Sequence, residues 1–407
     1  MSREIEPSAW REVLRILNEG AVKGLTQGGE RQHTPQFLQA IKHSNEVFSA
    51  FKCHSMGVKM AERLHDKDGN LRPFKEWRES VQPIASHHVG AWLKTEYDTA
   101  VLRAHQGSLW QEFERNKDIL PNLRWMPTTS VSPENVHKGY WTSRLTLPVD
   151  DPFWQDNHPA NRWNCKCSLE ATSDKADTGH VAEMARQDNT AQQGLENNPR
   201  DGRLFSDKHP YFPDSCSSCP FKKQSKLKNW IGRLFNGGEG KEDCYNCPYA
   251  NRAIIEAELK EKYPLDKWEH TYISDNGGYL VTEHQRIKEG KRNNTALKIY
   301  KKEYTISMVA VKNGLKIEHI HETGRPPKET YDVICNGIAT ELKSFSGGGA
   351  LVHQVEHAFK EQGAKMVIVR LENDDKKVHD KLLEARRKLK GRILYYRESE
   401  QVIRELF

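Results

Sequence analysis

YDVICNGIATELKSF, residues 331–345, decides how the C-terminal half of the chain is read. Its Asn336-Gly337 dipeptide is a strong two-residue hairpin signal, with strands predicted near 331–335 and 338–344. Side chains alternate along a strand, so Glu341 and Lys343 project from one face while Leu342 enters the core. The partner strand then brings Asp332 beside Glu341. Two carboxylates on adjacent strands make a hard oxygen site suited to magnesium. A lysine two residues further on can position or deprotonate an attacking water and balance phosphate charge.

Outward from this hairpin, short strands alternate with helices. The pattern predicts a helix over 295–312, a strand near 315–320, and a helix over 350–362. A strand over 366–371, a helix over 376–390, a strand over 392–396 and a helix over 398–406 follow. Such alternation argues for an α/β domain with a mixed sheet over 264–407. The loop SFSGGGA, 344–350, lets backbone approach a phosphate. His353 and His357 lie one helical turn apart, but HQVEH lacks the glutamate directly after its first histidine that a metalloprotease needs. They are helix residues on this reading, with His353 able to face substrate. His319 and His321 read as packing or surface residues, and Cys335 as a core thiol.

The order helix, glycine turn, strand, hairpin resembles the PD-(D/E)xK nuclease superfamily, in particular the nuclease toxin domains of contact-dependent growth inhibition systems, over about 290–400. Those domains open on a helix carrying a glutamate; here the helix ends at Asn313-Gly314 and Glu303 is the matching residue. The resemblance implies a restriction-endonuclease-like sheet and a magnesium site of Glu303, Asp332 and Glu341, with Lys343 completing the catalytic set. It also implies phosphodiester hydrolysis of tRNA or DNA, and a cognate immunity protein as a partner. The family's proline before the first aspartate is Tyr331 here.

Six of the eight cysteines fall in three tight pairs. Cys216 and Cys219 (CSSCP) and Cys244 and Cys247 (CYNCP) offer four thiolates from two matched turns, the arrangement of structural zinc, within a module at 211–250. An iron–sulfur cluster is the next metal in line, and a redox disulfide fits two matched pairs less well. The segment between the pairs is basic: residues 221–241 carry six Lys and Arg against one acidic residue.

Toward the N-terminus, 8–62 shows helical spacing of apolar residues, and 85–116 reads as the longest helix. The proline-rich stretch 120–170 reads as an irregular unit packed on aromatic side chains. Within it, His158-Pro159 precedes Cys165-Lys166-Cys167. Two thiolates and an imidazole are competent zinc ligands, and His137 can supply a fourth. The alternative is a pair of buried thiols with His158 hydrogen-bonded in a turn. The run LTLPVDDPFW followed by HPxxRWNCKC resembles the signature closing the phage Mu F-like minor head proteins, over roughly 85–172, with His158, Pro159, Arg162, Cys165 and Cys167 matching. That resemblance implies a phage or prophage head-morphogenesis module over 1–172, acting with portal or capsid proteins. Residues 173–210 are polar and read as a linker.

The chain of 407 residues, 36% hydrophobic and 29% charged, exceeds one ordinary core, so the expected fold class is multidomain α+β. Its charge of +6 is uneven, with 26 Lys and Arg against 21 Asp and Glu over 264–407, which is compatible with nucleic acid. The polar start leads us to expect no signal peptide, and no apolar run approaches a membrane span. A virion or host-cytoplasm location is therefore expected, with no membrane partner. Three functions compete. The first is a minor head protein carrying a toxin-type nuclease. The second is a purely structural head protein whose C-terminal domain binds nucleic acid or capsid partners without catalysis. The third is a zinc-dependent nucleic-acid binder led by the four-cysteine module.

Overall fold

Proline in the first turn and a side-chain acceptor just outside it open both long N-terminal helices, α1 (Pro7–Thr26) and α2 (Pro35–Ala61). The Glu6 carboxylate accepts from the Ser8 and Ala9 N–H groups, and Thr34 Oγ1 accepts from Phe37 N–H at 3.2 Å. This computed structural model describes residues 4–27, 29, 31–131, 135–179, 191–222, 241–321, 330–373 and 376–406. They divide into two compact units, Met1–Ile254 and Ile255–Phe407, and the fold is mixed α+β.

In the first unit the expected helix over 85–116 is broken. Helix α3 (Phe74–Ala85) holds Pro83, which removes a backbone donor. A π turn, Ser86–Ala91, follows, with Gly90 at non-helical ψ −105°, before α4 (Trp92–Asn116) resumes. Helix α1 packs on α4 through glycine: a Cβ on Gly24 would sit 2.1 Å from Val101 O. Gly24→Ala is therefore expected to push the two helices apart and destabilise the unit by about 1–3 kcal/mol, read as a lowered midpoint in chemical denaturation. An unchanged midpoint would mean that the α1–α4 contact gives way freely.

The aromatic unit is organised by a small sheet that the sequence did not announce. Strand β1 (Asn122–Met126) is central and antiparallel to both β2 (Thr146–Pro148) and β3 (Ser168–Thr172). Trp110, Trp125, Trp154, Tyr140 and Phe153 pack on it together with Cys165 and Cys167.

The linker expected over 173–210 is not one over its second half, residues 191–210. Leu195, Leu204 and Phe205 are fully buried, and Phe205 stacks on Phe48 of α2 at 4.0 Å. The four-cysteine segment likewise rests on α2 inside the first unit, with Phe51 against Phe212 and Phe221 and His43 Nε2 at 2.7 Å from Tyr245 O. Of the basic segment 221–241, residues 223–240 lie outside the described residues.

The second unit is an eight-stranded mixed sheet in the order β11-β10-β9-β8-β7-β6-β5-β4. Its strands are β4 (Trp268–Ile273), β5 (Tyr279–Glu283), β6 (Lys316–His319), β7 (Val333–Cys335), β8 (Ile338–Phe345), β9 (Met366–Leu371), β10 (Arg392–Arg397) and β11 (Arg404–Leu406). Asn336 and Gly337 both take left-handed backbone, φ 50° and 77°, as the two-residue turn between β7 and β8 requires. The helix Asn294–Lys312 covers one face through Ile306, Val309 and Ala310. Leu351–Lys360 and Lys376–Lys388 cover the other through Val355 and Leu382. Buried on both faces, β9 opens on an unbroken apolar run, Met366–Val369.

Two features depart from expectation. The β4–β5 hairpin extends the sheet upstream of the expected elements. The tail expected as a helix over 398–406 turns at Gln401, φ 54°, and Arg404–Leu406 pairs antiparallel with β10. An otherwise open sheet edge offers a row of backbone partners, and burial of Leu406 with the Arg392–Glu405 ion pair (2.9 Å) fixes the register.

Candidate metal centres

The hairpin puts its carboxylates side by side. Asp332 N–H donates to Thr340 O at 3.1 Å, and Leu342 N–H donates to Asp332 Oδ2 at 2.8 Å, so Asp332 lies across from Glu341. Leu342 joins the core under the helix Asn294–Lys312, while Phe345 joins the opposite one. By alternation Glu341 and Lys343 share the Phe345 face. Glu341 is only 3% exposed. Its Oε1 accepts from Lys343 Nζ at 2.6 Å and from Gln362 Nε2 at 2.9 Å, and Gln362 Oε1 accepts from Lys343 Nζ at 3.3 Å. Its Oε2 is buried with no hydrogen-bond partner among the described residues.

Glu303 sits differently. Its helix packs on the face opposite Glu341, and its carboxylate is buried against Arg286 Nη2 at 2.6 Å. It still acts on the site at range. Burial first, then the charges of Glu341 and Glu303, hold the Asp332 carboxyl well above the usual carboxylate range. Among the described residues, the oxygens of Glu303, Asp332 and Glu341 do not draw within 4.8 Å of one another as a threefold group. Elsewhere in the unit, His353 and His357 are exposed, His319 is buried on Ser307 Oγ at 2.8 Å, and Cys335 is a core thiol.

Cys216, Cys219, Cys244 and Cys247 line one cavity of about 240 Å³. Glu242 N–H points at Cys216 Sγ at 3.4 Å, and the Phe221 and Lys222 N–H groups point at Cys219. Those donors stabilise thiolates, while burial pushes Cys219 up and, with Asp207, Cys244 up to about 12. All four are free thiols around a shared space, a donor set that fits zinc. No three of them are as close as 4.8 Å to one another.

The tight set lies in the aromatic unit. His137 Nδ1 is 3.6 Å from Cys165 Sγ and 3.7 Å from Cys167 Sγ, all three residues are buried, and their ligand atoms lie within 4.8 Å of one another. This group could hold a metal such as zinc. The interaction with Cys167, then that with His137, holds Cys165 well below an ordinary thiol, and Cys167 is pushed up in turn. His158, the nearer histidine in sequence, is not in the group. Its Nδ1 faces Pro159 O at 2.9 Å, and burial followed by the Arg103 charge lowers its pKa to about 3.

No family model, curated protein or solved structure matches this chain. No helix among the described residues is long and apolar enough to cross a membrane.

Three functional neighbours escaped the sequence. Gln362 and Arg286 lie far in sequence from the carboxylates they touch, and neither falls in a motif. Asn161, which fixes His137, stands inside the HPxxR run but carries no recognisable spacing signal.

The Asp332 shift has a consequence for stability. A carboxyl whose folded pKa is raised contributes stability that is complete below its unfolded pKa, roughly 4, and is lost as pH rises through the folded value. In chelator, stability of the second unit is therefore expected to fall with pH above the ordinary carboxylate range. Asp332→Asn should flatten that decline, as followed by denaturation at stepped pH. Equal slopes in the two proteins would place the proton elsewhere.

Proposed function

We propose that the second unit is a metal-dependent nuclease, hydrolysing phosphodiesters of tRNA or DNA with magnesium or a similar divalent ion, on a chain whose N-terminal portion serves phage head assembly. The observation that carries the catalytic reading is the Glu341 carboxylate. One oxygen is fixed by Lys343 and Gln362 and the other is buried and unpartnered, beside a second buried carboxylate. Leaving a carboxylate oxygen buried without a donor is costly unless something binds it. Asp332 and Glu341 would hold the ion, Lys343 would address water or phosphate, and Glu303 would act through the field it adds. The ion supplies Lewis-acid activation of water and phosphate. The four cysteines would hold structural zinc. The head-assembly part rests on the Mu F-like resemblance of 85–172, and portal or capsid proteins and a cognate immunity protein are the partners it would involve.

A second reading, a structural head protein whose C-terminal unit binds nucleic acid or capsid partners without cleaving, draws support from Glu303 being neutralised by Arg286 away from the pair. One experiment separates the two. The chain is incubated with total RNA and, separately, with DNA, in magnesium and in EDTA. Magnesium-dependent cleavage supports the nuclease. Retention of nucleic acid without cleavage supports the second reading, and neither outcome sinks both.

A further inference from the structure

We infer that His137, Cys165 and Cys167 hold one zinc ion through three protein ligands, and that its fourth position opens on the adjoining cavity to take a small anion. This is independent of the carboxylate site. Two thiolates and an imidazole form a soft donor set that selects zinc among common divalent ions. Both sulfurs bind as thiolates, with any remaining thiol proton released to solvent, so that the ion and its two thiolates are together neutral.

The surroundings are arranged for a ligand and not only for packing. His137 Nε2 meets Asn161 Oδ1 at 2.9 Å, and Asn161 Nδ2 donates to Asp156 O at 3.0 Å. The second contact fixes which end of the amide faces the histidine. His137 must therefore donate from Nε2, and its Nδ1 lone pair is turned toward both sulfurs, an outer-shell device typical of metal-bound histidine. Cys167 N–H points at Cys165 Sγ at 3.5 Å. The loop that presents the two cysteines holds Ala160 and Asn164 in left-handed backbone, φ 70° and 61°. Neither is glycine, and such strain persists where a site requires it.

The same three residues line a cavity of about 230 Å³, which Thr128, Ser130, Arg162 and Lys166 also face. No fourth histidine, cysteine or carboxylate joins the group among the described residues. No carboxylate lines the cavity among them either, so a zinc-bound water there has no general base. With the ion neutralised by its thiolates, Lys166 adds positive charge to the cavity. An anion that replaces the water is the ligand this charge pattern favours.

The test uses the full chain. Zinc per chain is measured in the unmutated protein and in the Cys165→Ser/Cys167→Ser variant, and the variant is expected to lose one equivalent while the four-cysteine module keeps its own. Unchanged zinc in the variant would overturn the site. The unmutated chain is then loaded with cobalt and titrated with azide. A saturable shift of the visible d–d bands is expected, with azide affinity several-fold weaker in Lys166→Ala. Bands that stay still under azide would mean a site closed by a fourth protein ligand, and would overturn the open position. The azide titration needs no change to the ligands, so it decides that point however the cysteine variant folds.

Discussion

Glu341→Ala is expected to cost the proposed nuclease roughly a thousandfold in turnover, since a metal site typically supplies several kcal/mol of transition-state stabilisation and ~4 kcal/mol is about three decades. The substitution removes the open oxygen and strands its neighbours together: Lys343 Nζ and Gln362 Nε2 both donate to Glu341 Oε1. Asp332→Ala should fall as far, because the second carboxylate goes with it. Neither should unfold the unit. Asp332 is a buried acid already held toward its protonated form by burial and by two neighbouring carboxylates, so removing it relieves repulsion. Lys343→Ala separates the roles. Magnesium affinity should be largely kept while turnover drops, because its work is on water and phosphate. Glu303→Ala should be mildest in turnover, yet it leaves Arg286 buried without its carboxylate and so should cost more stability than activity. The measurements are cleavage rate, magnesium affinity and denaturation midpoint for the four variants. Cleavage at the unmutated rate by Asp332→Ala or Glu341→Ala would make the hairpin a purely structural element.

What the sequence allowed to be read, and what it did not, follows from the range of the forces involved. The β7–β8 hairpin was readable because its turn is local chemistry: Asn336 and Gly337 accept left-handed backbone, and the period of two on either side fixes which residues share a face. Strand β9 was readable for a related reason, a short apolar run buried on both sides. The C-terminal tail was not. Residues 398–406 have a passable helical pattern, and only the unpaired edge of β10, nowhere visible in that segment, converts its end into a strand. The π turn at Ser86–Ala91 shows the same limit, since proline and glycine mark a disturbance there without saying what replaces the helix. In the metal sites, residue types were readable and partnership was not. The sequence offered both His158 and His137 to the Cys165–Cys167 pair, and only the fold, which brings His137 to it across about 30 residues and turns His158 away, decides between them.

Arg103→Met is expected to be the most destabilising single change in the first unit, lowering its stability by about 3–5 kcal/mol, the scale for stripping a buried charged group from its partners. Arg103 is fully buried in α4. Its guanidinium donates to Ala160 O at 2.7 Å, to Leu195 O at 3.4 Å and to Asn197 O. Burial lowers its pKa to about 9, so it stays charged at neutral pH, held chiefly by neutral carbonyls. Methionine fills much of the volume but leaves those acceptors buried without donors. Lysine should not rescue, because one ammonium cannot span the acceptors that the planar fork reaches. The same side chain adds to the reasons why 191–210 is not a free linker: beside the buried Leu195, Leu204 and Phe205, the stretch is held by carbonyl anchors on a distant arginine. Ala160 O is one of those anchors and precedes Asn161, the residue that orients His137. Arg103→Met should therefore also speed zinc loss from the His137, Cys165 and Cys167 site, in addition to lowering the midpoint. The two effects are read together, as the denaturation midpoint of the first unit and the rate of zinc transfer to a chelating dye. A midpoint within about 1 kcal/mol of the unmutated chain, the scale of an ordinary substitution, would show that water replaces the guanidinium at these carbonyls.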